Sequence, residues 1–111
     1  MIKLLGIPFD GNSSFLKGPA LAPARIRLMD TEGSANPFSE NGIEIKKGPH
    51  YLDMGDVLFK DSNAENAFHT IKNRIIHELV PDHKIICLGG DHSISYPIID
   101  AYTSIYKNLH V

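Results

Sequence analysis

The residues best equipped for chemistry stand together as Gly89-Gly90-Asp91-His92-Ser93, between the apolar run Ile85–Leu88 and a stretch with helical periodicity. A strand that hands directly into a helix puts the intervening turn at the carboxyl end of a sheet, where open parallel sheets bind their ligands. Two glycines are expected to let the backbone turn tightly without side-chain clashes and to let a ligand approach the main chain. His92 then falls at or near a helix N-terminus, whose partial positive charge disfavours an imidazolium. A metal ligand has to be a neutral imidazole, so this placement suits coordination. Asp91 is placed either to orient the turn or to support the ligand from behind. A plainer reading fits the spacing equally well: Asp91 or Ser93 caps the helix and His92 is an incidental polar residue. Two further readings fit worse. Asp91 puts negative charge where a phosphate would sit, and no lysine follows as in a P-loop. Ser93 lacks the glycines two residues to either side that mark a nucleophile elbow.

Asn12, Ser13 and Ser14 are the next candidates. They lie in Asp10–Pro19, which also holds Gly11, Gly18 and Pro19 and therefore reads as a loop. They are placed to line a substrate mouth, although such residues more often serve only to satisfy turn backbone. The remaining histidines carry less. His77-Glu78 would begin a zinc-protease motif only if a histidine stood at position 81, which is Pro81. His69, Asn73 and His77 share a helix flank that reads as a solvated face. His50, His83 and His110 flank strands with nothing to mark them as ligands. Tyr96, Tyr102 and Tyr106 fall on or beside an apolar stripe and read as packing.

These groups need a scaffold, and the pattern supplies one. Ile2–Ile7 reads as a buried strand and Pro23 as a first-turn residue of a helix through Arg25, Ile26, Leu28 and Met29. Thr31–Pro49 is a long surface excursion with a small hairpin or strand at Ile43–Lys46, and Tyr51–Phe59 is a second strand. Ser62 and Glu65 form a capping box ahead of a stripe at Ala64, Ala67, Phe68, Ile71, Ile75 and Leu79, which Pro81 ends. Lys84–Leu88 is a continuous apolar strand of the kind covered on both faces. Ile94, Ile98, Ala101, Tyr102 and Ile105 mark a last helix, and Leu109–Val111 resembles the start of another strand. Strand, helix, strand, helix, strand implies parallel pairing with right-handed crossovers. So few helices cover both faces of a sheet poorly, and at least one strand edge stays unpaired.

Composition sets the outer limits. With 111 residues and 42% hydrophobic side chains the chain suits one ordinary globular domain. A net charge of −2 and a pI near 6.3 argue against nucleic acid. No apolar run approaches a membrane span or a signal-peptide core. The single Cys87, inside an apolar run, excludes a disulfide framework and suits a reducing, cytoplasmic setting.

Gly89-Gly90-Asp91-His92-Ser93 resembles the Gly-Gly-Asp-His-Ser motif of the arginase/agmatinase (ureohydrolase) family, whose histidine binds manganese. Gly6-Ile7-Pro8-Phe9-Asp10, followed by Gly18, Pro23, Ile26 and Arg27, is similar to that family's N-terminal stretch. Asp53-Met54-Gly55-Asp56 is similar to its Asp-x-Gly-Asp turn after an early strand. The three matches run through most of the chain in family order. The resemblance implies an α/β fold, the N-terminal part of a three-layer αβα domain around a mainly parallel sheet. It implies hydrolysis of a guanidino or amidino C–N bond, with release of urea. Two Mn²⁺ ions would make hydroxide available near neutral pH for attack on the planar guanidinium carbon, and carboxylate and imidazole ligands suit that ion. It also implies a trimer or hexamer of the full-length enzyme.

Of the two histidines and four aspartates that the family's centre needs, only His92 maps onto this sequence. Gly89, Gly90, Asp91 and Ser93 would support it from the turn, and no catalytic residue is assigned. Asp-x-His-x-Asp does not occur, since Asp82-His83 and Asp91-His92 are adjacent pairs. Residues 1–111 are accordingly expected to be the N-terminal part of a single ureohydrolase domain, cut before that motif and inactive alone. The commonest agmatinase pattern has an Asn-Arg pair where Phe15-Leu16 stand, which speaks against agmatine. The competing expectations are a non-catalytic assembly module that pairs its bare sheet edge, and a metal-dependent deacetylase on a related sheet.

Overall fold

β1 (Ile2–Gly6) is the central strand, flanked in parallel by β2 (Tyr51–Asp56) and β3 (Lys84–Leu88) in the order β2-β1-β3. The computed structural model describes residues 1–33 and 35–111. Between the strands run α1 (Ala22–Thr31) and α2 (Ala64–Glu78), and α3 (Ser95–Thr103) follows β3. Short 3₁₀ turns at Pro19–Leu21 and His92–Ile94 lead into α1 and α3.

Alternation along β1 decides which helices lie on which side. Leu5 and Ile7 point into a core made with Ala67, Ile71 and Ile75 of α2 and with Ala101 of α3. Lys3 shares that face, so its ammonium has to be paired. It donates to Glu78 Oε2 at 2.9 Å and to the Glu78 carbonyl at 3.0 Å, while Arg74 Nε donates to Glu78 Oε1 at 2.9 Å. Burial alone would raise the Glu78 carboxyl, but these two cations outweigh it and hold the group below the usual range. The opposite face carries Ile2, Leu4, Ile86 and Leu88. Across a cavity of about 600 Å³ from Leu4 and Leu88 lie Ile26 and Met29 of α1. The layers are thus helix, parallel sheet, helix pair. Coverage is unequal: Ile2 and Ile86 remain 39% and 50% exposed on the α1 side.

Three sequence expectations change in detail. The cap of α2 is Asn63, whose side chain accepts from Asn66 N at 3.0 Å, and not Ser62. Asn caps as well as Ser does, and Asp61 Oδ1 accepts from Asn63 N at 2.9 Å, which fixes the chain one residue later. β2 ends at Asp56 instead of Phe59, because Gly55 turns to φ +72° and Val57 swings into the core. The excursion expected over Thr31–Pro49 does contain a small hairpin, through Ser39 N to Ile43 O and Ile45 N to Pro37 O. Leu109–Val111 is not a strand; three residues offer too few ladder bonds to offset their own ordering. His69, Asn73 and His77 are solvent-exposed as expected, and among the described residues no helix is long and apolar enough to cross a membrane.

Candidate functional site

Two segments leave the carboxyl ends of neighbouring strands and meet. Ile7 N still donates to Leu88 O at 2.8 Å past the end of β1, and Asp91 N donates to Phe9 O at 2.8 Å. Beyond that joint, the loop after β1 and the turn after β3 form the walls of one cavity of about 750 Å³. Asn12, Ser13 and Ser14 line one wall, and Gly90, Asp91, His92 and Ser93 line the other. Gly89 stands behind it, against Ile94. The turn does not need glycine for its backbone angles, since neither Gly89 nor Gly90 has positive φ. Gly90 is required by proximity instead. A Cβ there would run into Phe9 O and stand 2.7 Å from Ile7 O, backbone atoms that have nowhere to retreat.

Asp91 is 8% exposed and caps the 3₁₀ turn, its Oδ1 accepting from Ser93 N at 2.9 Å and from the Ser93 hydroxyl. Its Oδ2 reaches across to accept from Asn12 N at 2.9 Å. The capping reading therefore holds for Asp91. The imidazole is exposed at the first position of the turn, and its side chain makes no hydrogen bond among the described residues.

The loop is also braced internally. Asp10 Oδ2 accepts from Gly18 N at 2.8 Å and from Ala20 N at 3.4 Å, and the Gly18 amide above all holds the Asp10 carboxyl below its ordinary range. Lys17 Nζ bonds the carbonyls of Asp10 and Gly11. Ser13 Oγ is buried beside the cavity without a partner among the described residues, and Phe15 and Leu16 stand exposed on its rim.

A second polar junction, which sequence reasoning did not assign, lies at the end of β2. Arg27 of α1 grips Asp53 with two bonds of 2.9 Å, bonds Asp56 with Nη1 and donates to Gly55 O at 3.1 Å. Gly55 at φ +72° is the left-handed residue that folds both carboxylates toward one guanidinium. The Arg27 bonds hold Asp53 below the usual carboxylate range, and the Asp53 carboxylate in turn raises Arg27. The Asp-x-Gly-Asp residues are thus the last four of β2 rather than a turn after it. The usable signal was an arginine one helix upstream of paired aspartates, but nothing in the spacing says that they meet.

Among the described residues no three His, Cys, Asp or Glu side chains converge where a metal ion could be held. Asp53 and Asp56 are committed to Arg27, and Asp91 to its three donors. Of the described carboxylates and imidazoles at these strand ends His92 is the one without a hydrogen bond, so these residues do not by themselves make a two-ion centre. The profile of the arginase family matches residues 1–111, the whole of the chain. The chain belongs to the arginase family. It is 40% identical over 105 residues to arginase 1, mitochondrial, of Arabidopsis thaliana, covering 88% of this chain and 30% of that protein. The arginase structure from Medicago truncatula superposes with a TM-score of 0.79 at 30% identity, over 93% of this chain and 34% of that one. Formimidoylglutamase from Bacillus subtilis superposes with a TM-score of 0.78 at 27% identity, over 93% and 32%. The chain thus spans about a third of the length of the relatives it matches. The expected parallel α/β architecture of the arginase fold is the one observed.

Proposed function

We propose that residues 1–111 are the N-terminal part of a manganese-dependent hydrolase of guanidino or amidino C–N bonds, with His92 as one ligand of its centre. One observation carries this reading. Among the described titratable side chains that line the cavity, Lys17 and Asp91 are hydrogen-bonded and the His92 imidazole is not. When bound, the ions would supply a hydroxide nucleophile near neutral pH. The chain's own part is to hold His92 at the cavity wall, with the Asn12 and Ser14 side chains opposite and Phe15 and Leu16 as an apolar lip. Relatives at 35–40% identity include arginases, whereas agmatinases of Blochmanniella floridana and Bacillus cereus match at 29%. An amino-acid guanidine is therefore favoured over agmatine. The full-length protein is read as a homo-oligomer of the cytoplasm.

The reading frame past Val111 tests this directly. Asp-x-His-x-Asp is expected within about one strand length, and protein carrying it should release urea with Mn²⁺ and lose at least about a hundredfold in metal affinity or turnover on His92→Ala. Full manganese occupancy and turnover after that substitution would end the proposal. The half-exposed face at Ile2 and Ile86 supports a second reading, a non-catalytic assembly module. A well-folded monomer that fails to self-associate at high concentration argues against it.

A further inference from the structure

We infer that Asp91 is a positioning residue that clamps the substrate loop to the histidine turn, so that Asn12–Ser14 and His92 keep one spacing across the cavity. The inference rests on the reading of His92 as a metal ligand. Its physical basis is the division of labour between the two carboxylate oxygens. Oδ1 is occupied by the turn, through Ser93 N and the Ser93 hydroxyl, and Oδ2 by Asn12 N, 79 residues away in sequence.

The other fastenings of the loop do not cross the cavity. Ser13 N donates to Asp10 O at 3.1 Å, Gly18 N to Asp10 Oδ2, and Lys17 Nζ to Gly11 O, all within the loop. At its base the loop is joined to the turn by Asp91 N and Phe9 O. Beyond Phe9, the bond from Asn12 N to Asp91 Oδ2 is the hydrogen bond among the described residues that ties the loop tip to the turn. The loop is therefore a preassembled body, hinged at Phe9 and pinned at Asn12. Releasing the pin swings Asn12, Ser13 and Ser14 away together and leaves His92 where it was. Only a carboxylate serves both arms, because it presents two acceptor oxygens; the Asn side chain has one acceptor and turns an NH₂ toward the other donor.

Asp91→Asn separates the two arms in the 111-residue chain. The remaining oxygen can still cap Ser93, while the Asn12 amide loses its acceptor. Amide hydrogen exchange at Asn12 should accelerate at least about tenfold, the loss expected for a hydrogen bond to a charged group. Exchange at Ile71 and Ile75 should stay unchanged. Ser93→Ala removes only a turn-side bond and should leave Asn12 protected. Aqueous Mn²⁺ alone then serves as a paramagnetic probe, because its broadening of amide signals falls steeply with distance. In the native chain it should broaden Asn12–Ser14 together with Gly90 and Ser93; in Asp91→Asn the loop signals should escape while the turn signals still broaden.

Unchanged exchange at Asn12 in Asp91→Asn, equal acceleration at Ile71, or a Ser93→Ala effect on Asn12 as large as that of Asp91→Asn would overturn the clamp. Mn²⁺ broadening of the turn that persists in His92→Ala rejects the metal reading instead. Exchange then still decides the clamp.

Discussion

Two junctions at the carboxyl ends of the same sheet use the same residue types to opposite ends. At β2, Arg27 meets Asp53 and Asp56, and every charge in the group finds a counter-charge. At β3, Asp91 spends its oxygens on two amides and a hydroxyl, and His92 beside it makes no side-chain hydrogen bond among the described residues. The first is closed: its bonding capacity is used up in holding α1 to the sheet. The second is open, because its carboxylate arranges the backbone and its imidazole remains available. An acidic motif at a strand end is thus not by itself a site. What separates framework from site is whether the polar atoms have been consumed.

The contrast can be attacked first at its steric root. Gly90→Ala should cost about 3 kcal/mol, since the new methyl meets backbone oxygens of residues 7 and 9 that cannot shift without parting β1 from β3. A urea midpoint within error of the native value would show that the two exits are not in fixed contact. Next in size is the closed junction. Arg27→Ala strands two partly buried carboxylates and should destabilise by about 2 kcal/mol, below the figure for a fully buried pair because the guanidinium is 23% exposed. Arg27→Lys should recover only part, because a lysine cannot make the two-pronged bond to Asp53. Equal stability of Arg27→Lys and native protein would reduce the junction to simple charge pairing.

Acid sharpens the same distinction. Asp53 is held below its ordinary value of 3.8, chiefly by Arg27, so its contribution is present in full above the unfolded value. It is lost as pH falls from there through the depressed folded value, where the unfolded chain already binds the proton. Thermal midpoints should be flat in this respect at neutral pH and fall below about pH 4. Asp10 and Glu78 are depressed as well and add to the same limb. In Arg27→Ala the acid limb should become shallower; an unaltered slope would place the protons elsewhere.

The framework was readable where the signal is local. The stripe of α2 and the apolar run of β3 are short-range patterns, and both elements appear within a residue of their expected bounds. The Asn12–Ser14 loop and the Gly89–Ser93 turn could also be singled out, because strand-to-helix junctions advertise themselves by composition. Their union could not. Asn12 and Asp91 are brought together by parallel pairing of β1 and β3, and no spacing along the chain encodes that. The same holds for Arg27 with Asp53 and Asp56. Gly90 was singled out as a place free of side-chain clashes, but the clash it avoids is with another strand's exit, a property of the fold and not of the turn.

The smallest expected effect is the most discriminating. His92→Ala should leave the stability of the chain within about 0.5 kcal/mol of native, the range for an exposed side chain without partners. Asp91→Ala, one residue earlier, releases three donors at once and should cost about 2 kcal/mol. Parallel urea titrations of the two variants compare neighbours that share a turn but not a role. If His92→Ala proved as damaging as Asp91→Ala, the imidazole would belong to the framework, and the open junction would be as closed as the one at Arg27. If instead it is silent, the imidazole is no part of the framework and stays available for the ligand role proposed for it.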